Sequence, residues 1–330
     1  MNLDLFSVKL NAALSLVAAD TLVNVLTGAG ENTLLALVAS VPPVLTALES
    51  FNGTLFAPTD AALAATVAAG FNASDLTALA NVLEYHAAPG TPFSGVGFTG
   101  SAFLTTLQGN PVEAVPVSSG IQIHSAFGTP AANVVKSLPY DGGYIHVIDQ
   151  TLIPPANIVD VATTANLTSL FSALTTAGLA STVAGLSNVT ILAPTNAAFA
   201  AIASVAATLT VDQLKIILLT HVVPGIVYST DVITAKSLSN VATLSSATLD
   251  IEFNGTNVLI SAADNKSPAT VVAADVLADK IVVHVIDTVL LPNLSAPTTT
   301  AVYAAPSNVY SSALSMFGGI SVAAAVSLIL

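Results

Sequence analysis

The side chains of this chain that could do chemistry are few: five histidines, nineteen carboxylates, six lysines and the hydroxyl groups, with no arginine, cysteine or tryptophan in 330 residues. Without cysteine there is no disulfide, thiol nucleophile or thiolate metal site. Without arginine there is no guanidinium fork for phosphate or guanine, and a net charge of −13 repels a polyanion, so no nucleic-acid partner is expected. His146 and His284 each stand three residues before an aspartate, Asp149 and Asp287, a spacing that invites a metal reading. In a strand that offset puts the two side chains on opposite faces, so a local hydrogen-bonding role is expected instead. His86 and His221 each close an apolar helical face, after Leu79, Val82 and Leu83 or after Leu214, Ile217 and Leu218. A buried imidazole must find a hydrogen-bond partner, and that structural role is expected of both.

Residues 95–100 (GVGFTG) fit the letter of a phosphate-cradling G-x-G-x-x-G. They follow Pro89, Gly90 and Pro92 rather than a strand, and Glu113 comes too early for the acidic residue expected about 20 positions on. There is no G-x-S-x-G nucleophile elbow. The expectation is therefore no catalytic residue, no metal, no cofactor and no enzyme.

The elements that must position these residues occur twice. Residues 54–63 (TLFAPTDAAL) match 190–199 (TILAPTNAAF); His86 with Pro89 matches His221 with Pro224; residues 145–149 (IHVID) with Pro154 match 283–287 (VHVID) with Pro292. A unit of roughly 135 residues is too long for a solenoid repeat and suits a domain with its own core. Two domains follow, 20–155 and 156–292, with one lysine against nine carboxylates in the first and four against nine in the second. Neither offers a basic face.

In each unit Leu55-Phe56 or Ile191-Leu192 forms a short strand stopped by Pro58 or Pro194. Thr59 and Asp60, or Thr195 and Asn196, then cap a helix N-terminus, and the Ala-rich helix of the first unit runs to about Gly70. A second helix starts at Ser74 or at Thr210, where Thr210-x-x-Gln213 is a capping box. Strand-like runs follow, including Gly120–His124 and Thr248–Phe253, and each unit closes with a β-branched strand, Tyr144–Ile148 or Ile281–Ile286. Helices first and a sheet later make an α+β domain.

The two ends read as processing signals. Residues 1–19 finish in an apolar run with Val17 and Ala19 at the −3 and −1 positions of a secretory signal; an ordinary buried helix is the alternative. A Pro/Ser/Thr/Ala-rich segment, 293–312, carries small residues at Ala304, Ala305 and Ser307, and the apolar tail 313–330 has no basic flank. That is the pattern of a glycosylphosphatidylinositol attachment signal, with a C-terminal membrane helix as the alternative. Only 8% of the residues are charged, yet between Asp20 and Asp287 no uncharged stretch reaches the roughly 18 apolar residues of a spanning helix. Seven sequons, Asn52, Asn72, Asn166, Asn188, Asn254, Asn265 and Asn293, fit a secretory route, and glycans would keep so apolar a surface soluble. Asn265 is the weakest, because Pro268 follows its Ser267.

Taken in order, these blocks resemble the fasciclin domain family over about residues 20–292. Tyr85-His86 resembles the family's central pair, while Thr220-His221 departs at the aromatic position. The resemblance implies a β-wedge or sandwich packed with helices, and an extracellular adhesion or matrix role, commonly in lipid-anchored glycoproteins. In animal members the Tyr-His region and Asp-Ile-type motifs are associated with integrin binding; Asp231-Val232 is a loose counterpart, and no contact residue is carried over from it. The Ala/Ser/Thr-rich style and the lack of disulfides resemble fungal members, which puts a cell-wall or surface role first. The expected function is non-catalytic adhesion or cell-wall and matrix organisation. Expected partners are cell-surface or cell-wall proteins or glycans or a second copy of the chain, with a C-terminal lipid anchor in the membrane. The other readings are a carrier of a small apolar ligand held under the Ala-rich helix, a structural spacer and a secreted hydrolase.

Overall fold

The computed structural model of the chain describes residues 21–90 and 92–294. The leader 1–19, the tail 313–330 and the anchor candidates Ala304, Ala305 and Ser307 lie outside the described residues.

Three short helices open the first unit: α1 (Leu22–Ala29), α2 (Asn32–Ala39) and α3 (Pro42–Glu49). Each buries one pair at i and i+4, Leu22/Leu26, Leu34/Val38 and Val44/Leu48, the stripe that a 3.6-residue period places on one face. Then come β1 (Gly53–Pro58), α4 (Asp60–Ala68), α5 (Leu76–Tyr85), β2 (Ala87–Pro89), β3 (Ala102–Thr105), β4 (Pro111–Val117), β5 (Gly120–His124), β6 (Ala132–Tyr140) and β7 (Gly143–Ile148). Asp75, not Ser74, caps α5, because its carboxylate accepts from both Thr77 N and Ala78 N.

The sheet order is β2-β1-β7-β6-β5-β4-β3, with β1 and β7 parallel at its heart and the other pairs antiparallel. All six residues of β1 are buried, as expected for a strand covered on both faces. Leu55 and Ala57 face the core formed with α1, α2, α3 and α5, whereas Phe56 joins Tyr85, Val112, Ile123 and Ile148 in a second core inside the curled sheet. Leu107 N donates to Ala87 O (2.7 Å) and so brings the two ends of the sheet together. Where β1 and β7 begin, Gly53 faces Gly143; a Cβ on Gly143 (φ +150°) would lie 2.0 Å from Gly53 O, so the pair closes only with glycine there.

The second unit repeats the plan. Its elements are α6 (Ile158–Thr164), α7 (Thr168–Thr176), α8 (Ala180–Ala184), β8 (Val189–Pro194), α9 (Asn196–Ala201), α10 (Ala203–Ala206), α11 (Val211–Thr220), β9 (Val222–Pro224), α12 (Ser229–Ala235), β10 (Ser237–Ala242), β11 (Thr248–Phe253), β12 (Val258–Ser261), β13 (Ala269–Ala278) and β14 (Ile281–Ile286). The order β10-β11-β12-β13-β14-β8-β9 again has its one parallel pair, β8 with β14, inside the sheet, and Leu244 N closes the curl on Val222 O (2.9 Å). Each is thus an α+β unit with a nearly closed seven-stranded sheet. Among the described residues no single helix is long and apolar enough to cross a membrane.

Candidate functional site

His86 and His221 sit just past the ends of α5 and α11, each only 2% exposed. A carbonyl can only accept and an amide N–H can only donate, which fixes their tautomers. Nδ1 of His86 donates to Val82 O (2.7 Å), and its Nε2 accepts from Leu152 N (2.9 Å). His221 does the same with Ile217 O (2.7 Å) and Leu290 N (2.9 Å). A proton on Nε2 would face an N–H, and burial penalises the cation, so both imidazoles are held neutral with pKa values pushed down to about 4. Each ring joins the end of a helix to the segment that leaves the closing strand.

His146 and His284 lie on those closing strands. Their Nε2 atoms face Phe93 O (2.8 Å) and Val227 O (2.9 Å) and are therefore the donors; Nδ1 accepts from Ser137 Oγ (2.8 Å) in the first unit and from Asp275 N (3.2 Å) in the second. Burial against Phe56 and Phe93 lowers the His146 pKa. The N–H groups of Phe93 and Val227 are taken as well, by Thr54 Oγ1 and Thr190 Oγ1, both at 2.8 Å. One loop residue in each domain is thus clamped on its N–H and its C=O. Asp149 lies just past the end of β7, so strand alternation is not what separates it from His146; its two oxygens accept from Asn133 N (2.7 Å) and Nδ2 (2.8 Å). Asp287 accepts from Thr270 N (2.8 Å).

Thr59 and Thr195 cap their helices through Ala62 N and Ala198 N. Their neighbours work at a distance. Asp60 Oδ1 accepts from Thr33 N (3.1 Å) at the start of α2, and Asn196 Oδ1 accepts from Ser169 N (2.9 Å) at the start of α7, where Glu31 and Leu167 provide no side-chain cap of their own. Burial, then the charge of Asp60, raises the Glu31 pKa. Tyr85 is fully buried and donates to Pro111 O (2.8 Å); Thr220, in its place, bonds Ile216 O (2.9 Å) and Ser245 Oγ (2.8 Å). Asp231 serves α12 by accepting from Tyr228 N (2.9 Å). The loop of 95–100 packs on the curled sheet: a Cβ on Gly95 would meet Ile121 Cδ1 at 2.3 Å, and Phe93 and Phe98 meet edge to face. Chemically, these groups hold backbone segments together. Among the described residues no three His, Cys, Asp or Glu side chains gather as metal ligands.

The sequons differ in what their amides do. Asn52, Asn72, Asn166, Asn188, Asn254 and Asn293 are exposed. Asn265 is half-buried, accepting from Leu291 N (2.7 Å) and donating to Val289 O (2.9 Å), so it ties the loop before β13 to the segment after β14.

The junction between the domains carries contacts that the sequence did not announce. Asn110, in the turn between β3 and β4, is fully buried. Its Nδ2 donates to Asp279 Oδ1 (2.9 Å), and its Oδ1 accepts from Lys280 N (2.5 Å), both in the turn between β13 and β14. Phe103 stacks on Tyr228 with centroids 3.7 Å apart and planes 7° from parallel. Beside these contacts is a cleft of about 310 Å³, lined from the first domain by Thr105 and Pro111 and from the second by Asn188, Ile226, Tyr228 and Lys280 among others. A second cavity, lined by apolar side chains and His221 and of about 40 Å³, lies in the core of the second domain beneath α6, α7 and α8, not under the Ala-rich helix.

Residues 10–154 and 165–292 match the model of the Fasciclin domain. The chain is 30% identical over 188 residues to a fasciclin-like arabinogalactan protein of Cercospora beticola, an alignment covering 57% of this chain and 48% of that one. It is 26% identical over 205 residues to a fasciclin-like arabinogalactan protein of Arthroderma benhamiae, covering 61% and 46%. The chain spans about half the length of the curated relatives it matches. A solved FAS1 domain pair from the insect cell adhesion molecule Fasciclin I aligns at 16% identity and a TM-score of 0.39, over 79% of this chain and 96% of that one.

Proposed function

The chain belongs to the fasciclin domain family, in two tandem copies, and from that we propose that it is a non-catalytic protein of the cell surface, acting in adhesion or in cell-wall and matrix organisation. The observation that carries this reading is the state of the four motif histidines. Each is bonded on both ring nitrogens to groups that hold the fold, which leaves it no role as a base or ligand while those bonds stand. The named fungal relatives support a surface or extracellular address. Secretion, N-glycosylation and a lipid anchor at Ala304, Ala305 or Ser307 complete the proposal. The partners are wall or surface proteins or glycans, or a second copy of the chain, and weak contacts gain strength from two domains and a dense surface. The cavity of about 40 Å³ in the second domain is far below the roughly 300–1,000 Å³ of ordinary ligand pockets, so a carrier role draws no support from it.

The test is release of the native protein from intact cells by a phosphatidylinositol-specific phospholipase, then bead aggregation and cell-wall binding by the released form. Release with a C-terminus within 304–312, followed by aggregation or wall binding, is expected. Retention with the apolar tail intact would remove the anchor, and release without any binding would leave a spacer.

A further inference from the structure

The repeat places two sequons at one position of the fold, Asn52 just before β1 and Asn188 just before β8, and their surroundings differ. The Asn52 amide is spent on its own Ser50 O (3.2 Å). Asn188 lines the cleft between the domains, and among the described residues its side-chain amide takes no partner. Its backbone is pinned at φ +55°, with its N–H on Lys280 O (2.7 Å) and its C=O receiving Gly225 N (2.8 Å), so its position at the cleft is fixed.

We propose that the cleft between the domains is the seat of the first sugar of an N-linked glycan on Asn188. This rests on the secreted-glycoprotein reading. The volume, about 310 Å³, falls at the lower end of small-ligand sites, the scale of a single sugar residue. The lining suits a pyranose with apolar faces and a polar rim: Pro111 and Ile226 supply apolar surface, while Thr105, Tyr228 and Lys280 supply polar groups, from both domains. A neutral sugar also suits a chain of net charge −13, which repels free anions. Covalent attachment at the cleft wall makes the occupation intramolecular, so weak contacts suffice to hold it. The seated sugar then touches both domains and adds to the junction that Asn110, Asp279 and the Phe103–Tyr228 stack already make.

The experiment takes the full chain secreted from a eukaryotic host and follows, by glycopeptide mass spectrometry, removal of each glycan by a peptide N-glycosidase under native conditions. The expected result is a glycan on Asn188 released at least about tenfold more slowly than that on Asn52, with equal rates after denaturation. Asn110→Ala, which opens the junction, is expected to speed release at Asn188 and leave Asn52 unchanged. Equal native rates in the unsubstituted chain overturn the proposal, as does an unmodified Asn188. If Asn52 and other sequons carry glycans while Asn188 does not, the secretory reading survives; if none does, both fall.

Discussion

In the first domain the helix before the histidine meets the sheet through a buried tyrosine, Tyr85, which reaches across the core to Pro111 O. In the second the same place holds Thr220, and Ser245, in the turn between β10 and β11, bonds both Thr220 and Thr243. One position later nothing differs: both histidines make the same two bonds at nearly the same distances. The backbone constraint is the rigid one. A backbone N–H buried at a fixed point must be answered, and only one side chain of the right reach answers it. A volume to be filled admits several solutions.

Five substitutions test how far this holds. The largest effect belongs to the aromatic position. Tyr85→Ala should cost the first domain about 4 kcal/mol, as large-to-small changes in cores do, and Thr220→Ala about 1 kcal/mol in the second, the worth of one hydrogen bond. Domain-resolved denaturant unfolding reads both, and equal costs would break the comparison.

Next comes acid. The folded pKa of His86 and His221 is about 4 against 6.5 for the free side chain, so between those values the unfolded chain binds more protons. The stabilisation is complete above about pH 6.5 and is lost on descending to about pH 4, about 3 kcal/mol for each domain. His221→Leu leaves Leu290 N unanswered and should cost about 2 kcal/mol at pH 7, while removing the His221 contribution to the acid sensitivity of the second domain alone. Thermal melts from pH 7 to pH 4 check this, and an unchanged slope in the variant would count against the tautomer assignment.

The smallest effect is at the distant caps. Asp60→Ala and Asn196→Ala should each cost about 1 kcal/mol, with the Asp60 variant also relieving Glu31, whose pKa then moves back toward its ordinary value. Carboxylate titration by NMR follows the second part.

What was legible in the sequence follows from the same distinction. The strands and caps around the repeated blocks stand where their signals lie, because Pro58, Thr59, Pro194, Thr195 and the Thr210 capping box act locally. The helices α1–α3 and α6–α8 escaped because stretches of five to nine residues carry only one or two buried turns each. Thr54 and Thr190 stand both at the third position of a sequon and at the head of the aligned block, and it is the second place that marks their hydroxyls as working inside the fold. Asn110 left no trace, since its turn aligns with one carrying Ala247, and only the neighbouring domain explains an amide there. Asp275, at φ +56°, replaces Ser137 beside the closing histidine by offering a backbone N–H where the other domain offers a hydroxyl, which no side-chain alignment reveals.

The parallel pairing of β1 with β7, and of β8 with β14, has a mechanical consequence. In each domain three short helices come before the first strand of the pair, the chain leaves through the second, and the two strands run the same way. A pull applied between the start of the first strand and the end of the second therefore drags the two strands along each other, loading the whole ladder of bonds together instead of peeling it rung by rung.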